Sequence, residues 1–206
     1  MPFRAEVRRA LADPLGGPLG RIIHLPAMTA IVADGRDEDR EVIALEELID
    51  ALARVGVPRG RQFVLLGHAG ESETEARERT RRLRAILGVP VLAHDPSRRS
   101  EYVPGTLADG TPLELDDELR EAEEVVLVGA WTRTPDAVVR GGTALLWPGL
   151  GSLAARAAAR PEHAREVLEH VPSAFALFWI ADAPPRACAG RTPRVLDACT
   201  EQWRAR

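Results

Sequence analysis

Lysine and asparagine are absent from this chain of 206 residues, so all 27 of its basic residues are arginines. The codons of both missing residues are rich in adenine and thymine, and a GC-rich genome therefore depletes them. The consequence for chemistry is direct. Without lysine, no side-chain amine can form a Schiff base, act as a nucleophile or carry a covalently attached cofactor.

Cysteine, positive charge and long hydrophobic runs are also scarce. Cys188 and Cys199 are too few and too isolated for a disulfide framework or a zinc site. The net charge of −4 provides no positive field that would attract nucleic acid. No apolar run approaches the length of a membrane span, and the N-terminal segment lacks the hydrophobic stretch of a signal peptide. We therefore expect a cytoplasmic protein whose partners are neither nucleic acids nor membranes.

Short apolar runs alternate with amphipathic segments along the chain, and this alternation predicts the fold. The predicted strands are Ala27–Ala33, Gln62–Leu66, Val89–Ala93, Val125–Gly129, Thr143–Trp147 and Ala174–Ile180. The predicted helices are Phe3–Leu11, Glu41–Val55, Glu71–Leu87, Asp116–Glu123, Leu153–Arg160 and Pro161–Val171, and the stretch Gly190–Arg206 is predicted to end in a further helix. Turn dipeptides in Tyr102–Leu115 indicate a hairpin. We expect residues 1–206 to form a single three-layer α/β domain with a mainly parallel, doubly wound sheet.

A glycine-rich turn follows the predicted strand Thr143–Trp147. It contains Pro148, Gly149 and Gly151, and Ser152 is a suitable N-cap for the next helix. Backbone N–H groups and the dipole at a helix start can hold an anion. The turn therefore predicts an anion site, and the equally simple alternative is that the glycines only reverse the chain.

Two further stretches stand directly after predicted strands, where ligands gather in parallel α/β sheets. Asp34 and Arg36 belong to a charged turn after the first strand, which would also make sense as a solvated turn. His68 follows the second strand between small residues, and an imidazole suits proton transfer near neutral pH. The alternative for His68 is a structural histidine that caps the next helix or is hydrogen-bonded in the core. The arginine run 77–84 favours a solvated helix face over nucleic-acid binding.

Several of these segments together resemble the signature of the nickel-dependent lactate racemase family. In that signature a Pro-His pair precedes a Gly-Gly-x-Lys…Pro-Gly segment, and this chain has Gly141, Gly142 and Pro148-Gly149. The resemblance continues backward through His94-Asp95 and Gly67-His68, and more weakly to Asp34. It covers nearly the whole chain, but only the N-terminal domain of the family.

The resemblance implies roles for some residues and shows that this chain lacks the functional residue at other family positions. His68 would be the first of the two catalytic histidines. The second falls on Thr134, or on Asp136 if two residues are dropped from the loop, and only Asp136 could act as a base. The cofactor lysine falls on Ala144 and the nickel-ligand histidine on Arg160. His163 is the nearest residue that could replace the missing nickel ligand, and it is expected on a helix surface. We therefore expect no nickel-pincer nucleotide and no other cofactor.

Two functions from different classes follow. The first is an isomerase- or racemase-like enzyme, independent of the nickel pincer, in which His68 and Asp136 transfer a proton on a small carboxylated substrate. The second is a non-catalytic ligand-binding or partner subunit, in a homo-oligomer or with another chain, that retains the pocket. In both, the ligand carries a carboxylate or a phosphate. The candidate binding residues are Asp34, Arg36, Trp131 in the pocket-lining loop, Arg133, Gly141, Gly142, Gly149, Gly151 and Ser152. His94 and Asp95 are expected to be structural or to hold other site residues in place, with Asp95 orienting the turn at Pro96.

Overall fold

The sheet and its flanking helices are seen in a computed structural model that describes residues 2–23, 27–34, 38–67, 72–98, 101–133, 139–140, 142–158, 163–172, 175–180 and 187–204. Within these ranges the chain forms one seven-stranded sheet with a hydrophobic cluster on each face. No helix among the described residues combines the length and the apolar character that a membrane crossing requires. The predicted α/β fold is confirmed.

The sheet is mainly parallel, as predicted. Its strands are β1 Thr29–Ala33, β2 Gln62–Leu66, β3 Val91–Ala93, β4 Glu124–Arg133, β5 Val139–Arg140, β6 Phe175–Ile180 and β7 Ala187–Arg191. Their order is β3-β2-β1-β4-β6-β7, and β5 pairs with β4 outside this path. Only β5 and β7 run antiparallel to the strands beside them.

Helices cover both faces of the sheet. They are α1 Pro2–Ala12, α2 Leu19–Ile22, α3 Glu38–Arg54, α4 Glu73–Leu87, α5 Leu153–Ala158, α6 His163–His170 and α7 Thr192–Arg204, with 3-10 helices at Arg59–Arg61, Asp117–Glu121 and Gly142–Leu145. Because side chains alternate along a strand, Ile31 and Ala33 of β1 pack into the cluster that contains residues of α1 to α4. Ala30 and Val32 pack into the opposite cluster, with the predicted hairpin and residues of α5 to α7.

Local sequence explains the two longest helices. In α3, Leu45, Leu48, Ile49 and Leu52 are fully buried, which is the apolar stripe that helical periodicity predicts. Helix α4 begins with the predicted capping box, in which the Ser72 hydroxyl accepts a hydrogen bond from the Glu75 N–H and the Glu75 carboxylate accepts one from the Ser72 N–H. It ends at Gly88, whose φ of 63° is the left-handed conformation that glycine adopts readily.

One predicted strand is wrong in kind, and the predicted strand Val125–Gly129 is too short, because β4 runs from Glu124 to Arg133. Thr143–Trp147 is not a strand, because its first part belongs to the 3-10 helix Gly142–Leu145 and the place beside β4 is taken by β6. A short apolar run suits a buried strand or a buried helix equally, so periodicity cannot distinguish them. The helix predicted at the end of the stretch Gly190–Arg206 is α7, but the edge strand β7 that precedes it, Ala187–Arg191, was not predicted.

A nearly buried carboxylate joins the first and third helices. Glu47 on α3 accepts hydrogen bonds from Arg4 Nη1 at 2.6 Å and from Arg8 Nε at 2.8 Å, both on α1. Its side chain is only 6% exposed, so the two arginines supply partners that water cannot. The hydrogen bond from Arg8 is the main cause that lowers the pKa of Glu47, against the opposing effect of burial.

We expect Glu47→Gln to destabilise the protein by about 1–3 kcal/mol at pH 7, because the charged partner of both arginines is lost. A group with a lowered folded-state pKa stabilises fully above its ordinary pKa and loses this contribution as the pH falls through the folded-state value. The free energies of unfolding of wild type and variant, measured in urea, should therefore converge as the pH falls below 4.5, the ordinary pKa of a glutamate.

The matched control is Glu78→Gln, which removes an exposed ion pair with Arg81 on α4. It should change stability by well under 1 kcal/mol, because exposed pairs are screened by water. Equal effects of the two substitutions would contradict the role assigned to Glu47.

Candidate ligand site at the carboxyl ends of the strands

The order of the strands defines the place where a ligand is expected. Strand β1 pairs in parallel with β2 on one side and β4 on the other, and Ala33 lies opposite both Leu66 and Val128. The chain proceeds outward from β1 to β2 and β3, and then crosses to the other side of β1 to form β4. The carboxyl ends of β1 and β4 therefore form a topological switch point, the usual ligand position in open α/β sheets.

Several sequence-predicted residues fall at this edge. Asp34 directly follows β1, and Gly67 directly follows β2, where its N–H donates to the Ala33 carbonyl at 2.8 Å. Strand β4 continues past Val128 to Arg133, so its last residues extend beyond the end of β1. The structure thus brings the ends of three adjacent strands with candidate residues to one edge of the sheet.

Other predicted site residues lie outside the described residues. These are the two catalytic candidates His68 and Asp136, together with Arg36 and Gly141. The backbone of Arg133 is described as the last residue of β4, but its side chain is not. The suggestion that His68 and Asp136 face each other therefore stays a prediction.

Trp131 lies in strand β4, so its placement in a pocket-lining loop is wrong. Its side chain is buried and packs edge-on against Phe178, with ring centroids 6.1 Å apart. Gly142, also predicted as a binding residue, has a φ of 61°, and a Cβ built there would lie 2.8 Å from Trp131 Cζ3 and 2.9 Å from Leu196 Cδ2. Gly142 and Trp131 therefore pack against each other in the hydrophobic cluster that also contains Leu196.

The glycine turn uses its own hydrogen-bond donors internally. The N–H of Gly149 donates to the Ala144 carbonyl and that of Gly151 to the Pro148 carbonyl, both at 3.0 Å. Ser152 caps α5, as predicted, by accepting a hydrogen bond from the Ala155 N–H at 3.2 Å. An anion at this turn would have to displace these bonds, so the predicted anion site gains no support from the geometry.

A carboxylate also stands beside this turn. Ser152 Oγ donates to Glu114 Oε2 at 3.0 Å. Negative charge already present at the start of α5 repels a second anion at short range. The predicted binding roles of Gly149, Gly151 and Ser152 accordingly carry less weight than those of the residues at the ends of β1, β2 and β4.

His94 is buried, and its ring links the end of β3 to Asp116 and to the glycine turn. Its Nδ1 lies 2.5 Å from Asp116 Oδ2 and its Nε2 lies 3.1 Å from the Gly151 carbonyl oxygen. Its neighbour Asp95 accepts hydrogen bonds from the Ser97 N–H at 2.9 Å and from the Ser97 hydroxyl at 2.6 Å, and these bonds lower the pKa of Asp95. The structural reading of His94 and Asp95 is confirmed.

The cavity next to His94 does not suit an anionic ligand. It has a volume of about 260 Å³ and is lined by four carboxylates, those of Asp95, Asp116, Asp117 and Glu118, against the single guanidinium of Arg98. A larger groove of about 810 Å³ runs between α4 and the edge strand β3. Both adjoin the end of β3, away from the switch point between β1 and β4.

Arg79 is a residue at this edge whose position the sequence interpretation missed. The sequence predicts a solvated helix face for the arginine run 77–84. Arg79, however, is only 6% exposed, and its Nη2 donates to the Gly67 carbonyl at 3.3 Å. It shares the buried face of α4 with Leu83 and Leu87. Their spacing of four residues was the available signal, because positions i, i+4 and i+8 lie on one side of a helix.

The side chains aligned with the nickel-pincer site do not fit that cofactor. Ala144, at the position of the tethering lysine, offers only a methyl group and lies in a 3-10 helix. His163 is 2% exposed and not on a surface, so that expectation is wrong, and its Nε2 lies 3.1 Å from Asp109 Oδ2. Within the described ranges, no group of three or more His, Cys, Asp or Glu side chains could hold a metal ion.

We expect Gly142→Ala to destabilise the protein by about 2–4 kcal/mol, because strain at positive φ adds to overlap with the Trp131 and Leu196 side chains. The matched control is Gly110→Ala, where φ is 86° but a Cβ meets nothing within 4 Å. It should cost only the backbone strain of about 1–2 kcal/mol. Equal losses in urea unfolding would show that the contact with Trp131 does not restrict position 142.

Comparison with known proteins supports the fold. No family model and no curated protein matches the sequence. Among solved structures, the lactate racemase apoprotein from Thermoanaerobacterium thermosaccharolyticum superposes with a TM-score of 0.79 at 19% identity, over 97% of this chain and 55% of that one. This chain therefore spans about half of the length of the racemase. A likeness at this identity shows the fold alone, and the chain has the fold of that part of the lactate racemase apoprotein.

Proposed function

We propose that this chain binds a small carboxylate-bearing molecule at the carboxyl ends of β1, β2 and β4 and transfers a proton on it through His68. The observation that carries this proposal is the convergence of Asp34, Gly67 and the end of β4 at the switch point of the sheet. Gly67 immediately precedes His68. A solved protein that shares this fold over part of its length is a lactate racemase apoprotein, which supports a small hydroxy acid as the ligand class.

The proposed chemistry needs an acid–base group and an anchor for the carboxylate. An imidazole that titrates near neutral pH can remove a proton and return it, and this is the role of His68. Asp136 is the candidate for the opposing base. A guanidinium binds a carboxylate through two parallel hydrogen bonds, so Arg36 or Arg133 would hold the acid group.

Arg79 adds a buried positive charge at the end of β2. Its guanidinium holds the carbonyl of Gly67, the residue before His68. A cation placed there favours an anionic ligand at the end of β2, since charges attract more strongly where water is excluded. We assign Arg79 a positioning role, in which it fixes the end of β2 and the backbone that leads to His68.

The proposed reaction uses no nickel-pincer nucleotide. The sequence has no lysine to tether one, and Ala144 stands at the aligned position. Every step is therefore assigned to side chains of this chain and to the bound carboxylic acid.

A second candidate function is a ligand-binding or partner subunit without catalysis. It is favoured by the changes at the family's lysine and histidine positions, where this chain has Ala144, Arg160 and either Thr134 or Asp136. In this alternative the same edge of the sheet binds the ligand, but no proton is transferred. The two functions differ in one measurable property, exchange of a carbon-bound hydrogen with solvent.

We expect His68→Gln to reduce catalysis by roughly 10²–10⁴-fold while ligand binding survives, because glutamine keeps some hydrogen bonding but cannot carry the proton. The ligand is chosen from a series of 2-hydroxy acids, lactate included, by its effect on the melting temperature. The assay is exchange of the α-hydrogen of that acid with deuterated water, followed by NMR.

The control is His170→Gln, at the end of α6 where the imidazole packs against Gly105 of the hairpin. This variant should exchange like the wild type. Exchange at equal rates by wild type and His68→Gln would contradict the catalytic role. If the wild type binds the hydroxy acid but exchanges none of its α-hydrogen, the result would contradict the enzyme and support the non-catalytic subunit.

We also expect the purified protein to have the mass of its sequence and to contain nickel far below one ion per chain, even after expression with added nickel. The reason is the absence of a tethering amine and the methyl group at position 144. Intact-mass spectrometry and elemental analysis measure both quantities. A covalent nucleotide adduct, or nickel in a one-to-one ratio, would contradict this prediction.

A further inference from the structure

The two cysteines, isolated in the sequence, meet in the folded chain. Cys188 lies on β7 opposite Phe178 of β6, and Cys199 lies in α7. Because α7 follows β7 directly, the helix folds back over the strand, and both cysteines belong to the hydrophobic cluster on that face of the sheet. Helix α7 packs against β7, so the two thiols lie on the same face of the sheet.

The two thiols differ in exposure. Cys199 is 1% exposed, whereas Cys188 is partly accessible to solvent. The hydrogen bond with Cys188, followed by burial, raises the pKa of Cys199 well above its ordinary value. Cys199 therefore keeps its proton and can donate it in a hydrogen bond to the Cys188 sulfur.

A guanidinium lies near the accessible thiol. Arg9 Nη2 on α1 donates to the carbonyl of Ala187, the residue before Cys188, at 3.2 Å. Glu6 pairs with Arg9 at 2.7 Å and partly offsets this charge. A neighbouring cation and a donated hydrogen bond both stabilise a thiolate, which is the nucleophilic form of cysteine.

We propose that Cys188 and Cys199 are a reversible oxidation site that forms an intramolecular disulfide with hydrogen peroxide or an alkyl hydroperoxide. The Cys188 thiolate attacks the outer peroxide oxygen, the O–O bond breaks, and a sulfenic acid forms at Cys188 while water or an alcohol leaves after protonation. The Cys199 sulfur then attacks the Cys188 sulfur and expels water as its own proton is transferred. Two thiols and one peroxide thus give one disulfide and two molecules of water, or one of water and one of alcohol.

The disulfide would tie the last helix to the edge of the sheet. The two cysteines are 11 positions apart, and the bond closes that loop in the unfolded chain as well. A cross-link that removes freedom from the unfolded state raises the melting temperature when the native geometry accepts it. Reduction by a dithiol would reverse the shift.

The first test uses the full chain treated with hydrogen peroxide without reductant. We expect the mass to fall by about 2 Da for the loss of two hydrogens, and the number of thiols that react after denaturation to fall from two to none. Trypsin should then release residues 187–191, ACAGR, linked to residues 195–204, VLDACTEQWR. Persistence of both thiols, or a covalent dimer, would overturn the proposal without any variant.

Variants then assign the two roles. Cys199→Ala should stop at a sulfenic acid on Cys188, which dimedone traps, and Cys188→Ala should react slowly because Cys199 is buried. Arg9→Gln should slow oxidation roughly twofold to tenfold by removing the cation. The matched control is Arg77→Gln, an exposed arginine paired with Glu73 on α4, which should leave the rate unchanged. Oxidation of Cys188→Ala at the wild-type rate would contradict the assignment of the attacking thiol.

Discussion

Strand β1 is buried on both faces and hydrogen-bonded along both edges, and the rest of the sheet depends on its pairing. Parallel register with β2 and β4 aligns their carboxyl ends, so residues that follow them in the sequence arrive at one edge. Each buried backbone polar group in such a strand needs a partner, and a slip by one residue would exchange its two hydrophobic faces. The position of the candidate site is a direct consequence of the pairing of β1 with these two strands.

A second set of contacts fixes the layer that covers β4. His94, between Asp116 and the Gly151 carbonyl, connects the end of β3 to the start of α5, and the Leu153 N–H donates to the Pro96 carbonyl at 3.0 Å. Buried polar groups require such partners. These contacts make the glycine turn part of the scaffold.

Much of the fold could be predicted because its signals are local. The capping box at Ser72, the apolar stripe of α3 and the strand Gln62–Leu66 each depend on neighbouring residues, and each is confirmed. The candidate site was predicted less completely. The ends of β1 and β2 were located correctly, but β4 extends to Arg133, past its predicted end at Gly129. The buried positions of Arg79 and His163 were missed, since burial of a polar side chain depends on partners distant in the sequence.

The sequence by itself determined what chemistry the chain can hold: a chain without lysine has no amine to tether a cofactor, whatever its fold. It also determined which segments become helices or strands wherever periodicity and caps agree. Only the tertiary structure decided that Gly142–Leu145 is helical and that Cys188 and Cys199 pack into one hydrophobic cluster. The physical reason is that these outcomes depend on which strands are neighbours in the sheet, and that order is set by the packing of the whole chain.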